Sequence, residues 1–451
     1  MVVSMTIQFS DIPSTTILLE SSVLDGLEHS FALRIVQEST DRIRKKVREQ
    51  SAPDAVDWNV ELDRAKQGLQ QKRYQRVINA TGIVIHTNLG RAPISEEAFE
   101  YAKEMVSGYS DLEMNIKTGK RGGRILGIRE KLRMLTGAED ALVVNNNAAA
   151  IFLVLTALCK DKEVIISRGE LVEIGGSFRI PDVIENGGSI LREVGTTNRT
   201  RLSDYQRAIT EKTGALLKVH PSNFSISGFV EKASRSGLAE LAQTEGILFV
   251  EDLGSGLLHQ DSNLASEIIS EESVSQAIKD GVDVLTFSGD KLLGGAQAGI
   301  IIGRKHLIET CRKHPIYRAL RLGKISLALL EASLQIHLEG RADSLPVWEM
   351  MHRPLSKITE WAEEIAKDIP EARVESMNSY SGGGALPSQA IPSAGVCIHT
   401  ENAEAMSRHL RSQNPPILAR IHQEQLVLDP RTLFEKDIPF VLQGLRSWYQ
   451  S

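Results

Sequence analysis

Residues 288–295 read Ser288-Gly289-Asp290-Lys291-Leu292-Leu293-Gly294-Gly295, and they separate two short apolar runs. The run before them, Val282–Phe287, and the run after them, Gln297–Ile302, are typical of strands buried in a sheet. Lys291 is therefore predicted to lie on a tight, glycine-rich connection at the end of a strand. Taken alone, this pattern is weak evidence for a functional site, since a surface lysine in a turn explains it equally well.

A second strand end lies upstream, where the apolar run Gly246–Asp252 closes on a carboxylate before the glycine loop Leu253–Gly256. Pyridoxal phosphate enzymes use an acid against the pyridine nitrogen and a lysine that forms a Schiff base with the cofactor aldehyde. Asp252 and Lys291, at the ends of successive strands, supply both groups. The pair predicts a pyridoxal phosphate site, in which the hydroxyl of Ser288 is a candidate ligand of the cofactor phosphate.

Composition sets broad limits on the function. The chain has 451 residues, of which 41% are hydrophobic and 24% are charged, as in globular proteins with two or three domains. Its net charge of -6 gives no global attraction to nucleic acid, so any such binding has to come from a local patch. The cysteines, Cys159, Cys311 and Cys397, lack metal-ligand spacing, and no metal site is predicted. With neither a signal peptide nor an apolar run of about 18 residues, we expect a cytoplasmic protein.

The first part of the chain, residues 1–76, is predicted to form a separate helical module. Helical periodicity over residues 31–48 and 56–74 is interrupted at Ser51–Asp54. Two basic clusters could neutralise nucleic-acid phosphates: Arg42, Arg44, Lys45, Lys46 and Arg48, then Lys72, Arg73 and Arg76. Residues 1–80 nevertheless carry eleven basic and eleven acidic side chains, so charge alone favours a solvated helix face.

The middle of the chain alternates between apolar runs and helical patterns. The predicted strands are Ala141–Val144, Glu163–Ser167, Ser189–Val194, Ala215–His220, Ile247–Asp252, Asp283–Phe287 and Gly299–Ile302. This alternation predicts an α/β domain over residues 77–340, with a mainly parallel sheet, helices on both faces, and ligands beyond the carboxyl ends of the strands. Residues 341–451 predict a small α+β domain, with strands at 374–376, 396–400 and 425–428 and helices at 403–411 and 434–449.

Polar loops follow several of these strands. Asn145, Asn146 and Asn147 open an alanine-rich helix, where backbone N–H groups and carboxamides suit a phosphate, although helix capping explains the same residues. Beside the predicted lysine and aspartate, we favour a cradle for the cofactor phosphate. Residues 167–173 follow another strand and could cover the cofactor ring. His220, at a further strand end, is a minor candidate because such histidines are often structural.

Three arginines are candidates for anion binding. Arg91 follows Gly90 and precedes a predicted helix start at Ser95, where a structural role is about as plausible as an anion site. Arg318 and Arg321 are three residues apart, which places them on one face of a predicted helix as an anion clamp.

The chain resembles the bacterial selenocysteine synthase family, the L-seryl-tRNA(Sec) selenium transferases. The resemblance covers most of residues 76–340, while the N-terminal module and the C-terminal unit agree in length and position with looser sequence. The matching segments are INATGIVIHTNLGR at 78–91, NNNAAA at 145–150, SRGELVEIGGSFRIPD at 167–182, EVGTTNR at 193–199, KVHPSNFSISGF at 218–229, DLGSG at 252–256, SGDKLLGGAQAGI at 288–300 and RALR at 318–321.

The resemblance implies a cytoplasmic fold-type-I pyridoxal phosphate enzyme that assembles as a ring of five dimers, a homodecamer. The implied reaction converts seryl-tRNA(Sec) to selenocysteinyl-tRNA(Sec), by dehydration to an aminoacrylyl intermediate and selenium transfer from selenophosphate. It implies that Lys291 is the Schiff-base lysine and that Arg91, Arg318 and Arg321 form the selenium-donor pocket. It also implies that residues 1–76 bind the tRNA, which reverses the interpretation drawn from charge.

Two alternatives stay open. A pyridoxal phosphate lyase acting on a small amino acid or amino sugar acid would share the fold, but the N-terminal module would then have no task. Such an enzyme would need an arginine to grip the free carboxylate of its substrate, and Arg420 is the position we would expect, whereas serine esterified to tRNA presents no carboxylate. The other alternative is a tRNA-binding protein without catalysis.

Overall fold

The computed structural model describes residues 7–49, 51, 53–70, 74–174, 178–221, 224, 226–259, 272–383 and 390–450. The chain divides into two compact units, Met1–Arg76 and Val77–Ser451. The further boundary expected at residue 341 stays a prediction. Lys72 and Arg73, part of the predicted basic clusters, lie outside the described residues, as do Ser222 and Asn223 of one matching segment. No helix of the described residues is both long enough and apolar enough to cross a membrane.

The first unit is helical. Its helices are α1 (Thr15–Leu19), α2 (His29–Arg48) and α3 (Trp58–Gln70). Ile35 and Val36 of α2 and Leu62 of α3 are fully buried against each other. Arg42 of α2 donates through Nε to the Glu61 carboxylate of α3 at 2.9 Å, and through Nη2 to the Glu61 carbonyl at 3.0 Å. This member of the basic cluster therefore has a structural task in joining the two helices.

The second unit contains seventeen strands and thirteen α-helices within the described residues. The strands are β1 (Ile78–Asn79), β2 (Met114–Asn115), β3 (Lys120–Arg121), β4 (Asp140–Val144), β5 (Glu163–Ser167), β6 (Glu173–Ile174), β7 (Phe178–Arg179), β8 (Ile190–Val194), β9 (Thr213–Val219), β10 (Leu248–Gly254), β11 (Val284–Ser288), β12 (Gly299–Gly303), β13 (Ala372–Tyr380), β14 (Ala390–His399), β15 (Ile417–Leu418), β16 (Arg420–His422) and β17 (Gln425–Leu428). The helices are α4 (Glu96–Val106), α5 (Leu126–Thr136), α6 (Asn147–Leu158), α7 (Ile180–Asn186), α8 (Leu202–Ala208), α9 (Arg235–Glu245), α10 (Val274–Lys279), α11 (Lys305–Lys313), α12 (Lys324–Leu338), α13 (Pro346–His352), α14 (Leu355–Ala366), α15 (Ala403–Arg411) and α16 (Ile438–Tyr449).

The central sheet has seven strands in the order β4-β12-β11-β10-β9-β5-β8, and it contains all seven strands predicted over residues 141–302. The pairs from β11 to β8 are parallel, whereas β12 is antiparallel to both of its neighbours. The antiparallel direction of β12 follows from the short connection after β11, because a parallel pair would require a crossover of a dozen or more residues. The prediction of a mainly parallel α/β sheet is confirmed.

A smaller antiparallel sheet, in the order β13-β14-β17-β16, lies in the C-terminal part of the unit. Helices α14, α15 and α16 supply apolar side chains to the hydrophobic core that this sheet helps to form. Ile78 and Ala80, from the start of the unit, are fully buried in the same core, and β1 pairs with β15 in parallel. The beginning and the end of this unit therefore share one hydrophobic core.

This junction is closed by a buried carboxylate. Asp429 accepts hydrogen bonds from the hydroxyls of Ser379 (2.7 Å) and Ser393 (2.8 Å). Gly82 passes directly over it with φ of +72°, and a Cβ at this position would lie 2.1 Å from the Asp429 Oδ2 atom. The Gly82 N–H donates to the hydroxyl of Thr432 at 3.1 Å. Only glycine fits such a contact, both for its conformation and for its lack of a side chain.

Replacement of this glycine is expected to destabilise the second unit. In Gly82→Ala the methyl group has to displace the buried Asp429 carboxylate while the backbone keeps a left-handed conformation. We expect a loss of about 3 kcal/mol or more in the free energy of unfolding. Urea unfolding followed by tryptophan fluorescence measures this loss.

Gly137→Ala is the matched control. Gly137 has a similar φ of +75° at the end of α5, but a Cβ there meets no atom within 4 Å. Replacement of Gly137 should lower the free energy of unfolding by only about 1–2 kcal/mol, which is the penalty of the left-handed conformation alone. Equal losses in the two variants would show that the contact with Asp429 is unimportant.

Candidate active site

A cleft opens at the carboxyl ends of β9, β10 and β11, beside the start of α6. It gathers seven of the ten predicted site residues, and it is lined by Arg91, Asn146, Asn147, Ala148, Phe178, Val219, His220, Asp252, Gly254, Ser288, Lys291 and Gln297. This is the edge of a parallel sheet at which ligands of α/β proteins bind. The structure thus brings most of the candidates together, although their roles stay predictions.

Asp252 is a buried acid near the end of β10. It accepts hydrogen bonds from the Asn147 amide at 2.6 Å and from the Thr286 hydroxyl at 3.2 Å. Burial raises the pKa of the Asp252 carboxyl, while the bond from Asn147 and the charge of Lys291 act in the opposite direction. A buried carboxylate with a raised pKa is strongly stabilised by a further cationic hydrogen-bond donor. The protonated nitrogen of a pyridine ring is such a donor.

Lys291 lies on the connection between β11 and β12, and only 7% of its surface is exposed. The connection is fixed by its backbone, since the Leu292 N–H donates to the Ser255 carbonyl at 3.0 Å. Gly256, with φ of +77°, allows this contact, because a Cβ there would lie 2.5 Å from the Ser288 carbonyl oxygen. The glycine loop after Asp252 therefore packs directly on the segment that carries Lys291, so the two predicted residues are held by one piece of structure.

The three asparagines before and within α6 have different tasks. Asn146 caps the helix by accepting the Ala149 N–H at 2.9 Å, and Asn147 donates to Asp252. With its amide nitrogen towards them, Asn145 donates to the backbone carbonyls of Leu320 and Arg321, at 2.9 Å each. Asn145 is not among the residues that line the cleft, and the phosphate cradle predicted for the three side chains stays a prediction. The N–H groups of Asn147 and Ala148, in the first helical turn, have no partner among the described residues and are its best-placed donors.

Arg91 lies on the wall of the cleft in a left-handed conformation, with φ of +63°. Its Nη1 atom pairs with the Oδ2 atom of Asp290 at 2.8 Å. Asp290 is buried, and its Oδ1 atom has no hydrogen-bond partner among the described residues. The residue next to Lys291 therefore sets the direction of Arg91, a contact that the sequence did not predict.

Arg318 and Arg321 do not line this cleft. Arg318 is the last residue of a 3-10 helix, Pro315–Arg318, and it is exposed. Arg321 lies beyond that helix, stacks over the ring of Tyr317 at 5.5 Å and lines a different cavity. The two arginines are therefore not on one face of a continuous helix, as the sequence predicted, because the helix ends between them. A donor pocket formed with Arg91 stays a prediction.

Sequence reasoning did not single out Phe178, Val219 and Gln297, which also line the cleft. Phe178 belongs to the segment 167–182, so the family resemblance was the one signal that could have found it. Glu170, in the loop expected to cover the cofactor ring, instead accepts the Val219 N–H at 3.1 Å. This part of the loop therefore supports the wall of the cleft from behind.

The residues of the cleft fit pyridoxal phosphate. The buried Asp252 suits the ring nitrogen, Lys291 suits the aldehyde, and the start of α6, which has no acidic residue in its first turn, suits the phosphate. The Oδ1 atom of Asn147 is buried without a partner among the described residues, which marks a polar contact that the chain itself leaves unfilled. Across the residues that the structure describes, no cluster of three or more histidine, cysteine or carboxylate side chains could hold a metal ion.

Asp252→Asn is expected to separate stability from cofactor binding. Because burial raises the pKa of Asp252 in the folded state, ionisation of its carboxyl lowers the free energy of unfolding as the pH rises through that pKa. This loss is absent below the ordinary pKa of an aspartate, about 3.9. At neutral pH the cofactor-free variant should thus melt at or above the temperature of the wild type. This difference should shrink towards pH 4, while pyridoxal phosphate binds roughly tenfold more weakly or worse.

Thermal melting of the cofactor-free protein from about pH 4 to about pH 8, with spectrophotometric cofactor titration, checks both expectations. Asp182→Asn, at an exposed carboxylate outside the cleft, is the control and should change neither property. A variant that melts well below the wild type at neutral pH, but binds the cofactor equally well, would contradict the role of Asp252.

Comparison with known proteins identifies the family to which the chain belongs. The family model described as SelA, L-seryl-tRNA selenium transferase, matches residues 77–434. The L-seryl-tRNA(Sec) selenium transferase of Aquifex aeolicus is 44% identical over 92% of this chain and 93% of its own length. That of Alkaliphilus metalliredigens is 42% identical over 97% of this chain and 98% of its own length.

Among solved structures, that of D-glucosaminate-6-phosphate ammonia-lyase superposes with a TM-score of 0.63 at 24% identity, over 84% of this chain and 97% of the other. At this identity the likeness concerns the fold alone. The fold is that of the fold-type-I pyridoxal phosphate enzymes, as predicted. From the match over residues 77–434 and the two full-length relatives, the chain belongs to the family of L-seryl-tRNA selenium transferases.

Proposed function

We propose that this protein converts seryl-tRNA(Sec) to selenocysteinyl-tRNA(Sec), with pyridoxal phosphate as cofactor and selenophosphate as selenium donor. The observation that carries the proposal is the meeting of a buried lysine, Lys291, and a buried acid, Asp252, at the ends of neighbouring strands. The relatives named L-seryl-tRNA(Sec) selenium transferase support the choice of substrate.

Pyridoxal phosphate supplies an electron sink when it is bound in this cleft. Lys291 holds the cofactor through its amine and, once displaced by the substrate amine, is the base that takes the proton from the serine Cα atom. Asp252 keeps a proton on the ring nitrogen, and Asn147 and Thr286 fix the direction of its carboxylate. The start of α6 and the hydroxyl of Ser288 bind the phosphate. Burial of Lys291 excludes water from the reacting atoms.

The positions of two arginines support a substrate whose carboxylate is esterified. Arg91, on the wall of the cleft, already pairs with Asp290. Arg420, where a free-amino-acid enzyme was expected to grip a carboxylate, lies on the small sheet, with its Nη2 atom 3.6 Å from the buried Asp429. It lines a separate cavity with Met377 and His422. Arg420 is therefore not placed to bind a free carboxylate over Lys291, and serine bound to tRNA presents none.

The proposal extends to the partners. Residues 1–76 dock the tRNA, and Arg44, Lys45 and Arg48 at the end of α2 are exposed cations of this module, the first two in ion pairs with Asp41 and Glu49. Arg91, Arg318 and Arg321 receive selenophosphate. Since Arg91 and Arg321 line different cavities of one chain, their joint action requires a second copy or a rearrangement. A ring of five dimers and a cytoplasmic location, where aminoacyl-tRNA is used, complete the proposal.

The reaction itself is the first test. Purified protein loaded with pyridoxal phosphate should form selenocysteinyl-tRNA from seryl-tRNA(Sec) and selenophosphate. Lys291→Ala should lose the absorbance of the protonated Schiff base and lower turnover by at least about 10²-fold, because both the cofactor anchor and the base are gone. Lys160→Ala, an exposed lysine outside the cleft, should behave as the wild type.

Each outcome of this assay is informative. A Schiff-base spectrum without product would reject the proposed substrates and move the function to a lyase of small amino acids or amino sugar acids. Absence of the spectrum in the wild type would reject the cofactor and leave a tRNA-binding protein.

Removal of residues 1–75 tests the docking of the tRNA. The second unit has its own cores, so the shortened chain should keep the Schiff-base absorbance while turnover of seryl-tRNA is abolished. Electrophoretic mobility shift with tRNA(Sec) measures the loss of binding directly. Unchanged turnover in the shortened chain would reject the docking role.

A further inference from the structure

The connection that carries Lys291 is rich in glycine, so its own conformational preferences do not fix it. Leu292 and Leu293, which follow the lysine directly, are both buried. Their backbone polar groups therefore need hydrogen-bond partners within the protein. The Leu292 N–H donates to the Ser255 carbonyl. The partners of the two leucine carbonyls lie on helices outside the central sheet.

Both carbonyls accept hydrogen bonds from side chains. The indole Nε1–H of Trp348, on α13, donates to the Leu292 carbonyl at 2.8 Å. The Nε2 atom of His337, on α12, lies 2.8 Å from the Leu293 carbonyl oxygen. A carbonyl can only accept, so this ring nitrogen carries a proton. Burial lowers the pKa of His337, so the ring is uncharged at neutral pH and the contact selects the tautomer with its proton on Nε2.

Two glycines after the lysine let these helices approach the connection. Gly294 has φ of +72°, and a Cβ there would lie 3.2 Å from the Cδ1 atom of Leu345, the residue before α13. A Cβ on Gly295 would lie 3.3 Å from the Cβ atom of Ser333, one turn before His337 on α12. Any larger residue would push the helices away, and the side-chain donors would then no longer reach the carbonyls.

The side chains of the two leucines reinforce the hydrogen bonds of their carbonyls. Leu292 packs in a core that contains Ile336 and Trp348. Leu293 packs instead in the large core of the central sheet. Because the two side chains are buried in different cores, a shift of the backbone in either direction breaks apolar contacts as well as a hydrogen bond.

We propose that His337 and Trp348 are positioning residues for Lys291, since they hold the two carbonyls that follow it and so fix the backbone from which its amine reaches the cofactor aldehyde. The inference rests on the proposed function of Lys291 as the Schiff-base residue. Lys291 has to hold the cofactor and later, as a free amine, return to the same atom, so a fixed backbone serves both steps. Neither His337 nor Trp348 lines the cleft, so both act through the connection.

Three variants separate the hydrogen bonds from packing. Trp348→Phe removes the indole N–H but keeps an aromatic ring. His337→Leu removes the ring N–H, whereas His337→Gln supplies an amide N–H close to the position of Nε2. Stopped-flow mixing of the full chain, freed of cofactor, with pyridoxal phosphate measures the rate of Schiff-base formation. Visible circular dichroism of the loaded protein measures how firmly the bound cofactor is oriented.

Trp348→Phe and His337→Leu should form the Schiff base roughly 10- to 100-fold more slowly, as expected when a reacting group is displaced by about 1 Å. Their visible circular dichroism should be weaker than that of the wild type, and His337→Gln should recover most of both properties. Turnover of seryl-tRNA should fall in kcat with an unchanged KM, because the contacts with the substrate are intact.

Two matched controls account for effects of packing and of helix α12 itself. Trp361 is 5% exposed, as is Trp348, but it lies in the core of the small sheet. Trp361→Phe should lower the melting temperature about as much as Trp348→Phe, yet leave Schiff-base formation and circular dichroism unchanged. Gln335 is exposed on α12, two residues before His337, and donates to Glu339 at 2.8 Å. Gln335→Leu should behave as the wild type.

A wild-type rate and a wild-type circular dichroism spectrum in both Trp348→Phe and His337→Leu would overturn the proposal, even if both variants melt at a lower temperature. Equal slowing in His337→Leu and His337→Gln would also overturn it, because the hydrogen-bond donor would then be unimportant. The two His337 variants decide the question if Trp348→Phe fails to fold. If the wild-type chain itself forms no Schiff base, the proposed function of Lys291 fails instead.

Discussion

The burial of the Asp252 carboxylate is the constraint on which the cleft depends. A charged group taken out of water costs several kcal/mol unless donors or cations surround it. Here the start of α6 supplies Asn147, β11 supplies Thr286, and the segment after β11 supplies the charge of Lys291. A helix start, a strand and the connection after that strand are thus required to converge on the Asp252 carboxylate. The same convergence leaves room for a cationic ring beside the acid, so the demands of stability and of cofactor binding are met by one arrangement.

The strands were predictable because those at the centre of the sheet are buried on both faces. Such strands are continuous apolar runs, and β5 was predicted with the bounds that the structure shows. The direction of β12 was not predictable from its composition, since it depends on the length of the connection that carries Lys291. The prediction that one helix holds both Arg318 and Arg321 was also wrong. A residue pattern indicates a helical turn, but not that the turn is a 3-10 helix that ends at Arg318.

The position of the site was predictable, but much of its detail was not. Lys291, Asp252 and His220 were expected together because each lies at or just after the end of a predicted strand, and the carboxyl ends of parallel strands meet at one edge. The directions of side chains depend on tertiary contacts, which a sequence pattern does not contain. The consecutive Asn145, Asn146 and Asn147 therefore face three different partners, and Asp290 directs Arg91. Phe178 reaches the cleft from the short strand β7, and Gln297 reaches it from the connection that carries Lys291, but neither side chain has a residue type that indicates the site.

The place of β4 at the edge of the sheet has a consequence for synthesis of the protein. Among the described residues its only strand partner is β12, about 155 residues later in the chain. On the ribosome, β4 stays unpaired until residues 299–303 have emerged. All five of its residues are buried in the folded protein. The sheet is thus completed late in translation, and the waiting apolar strand is a segment of the nascent chain that needs protection from association with other chains.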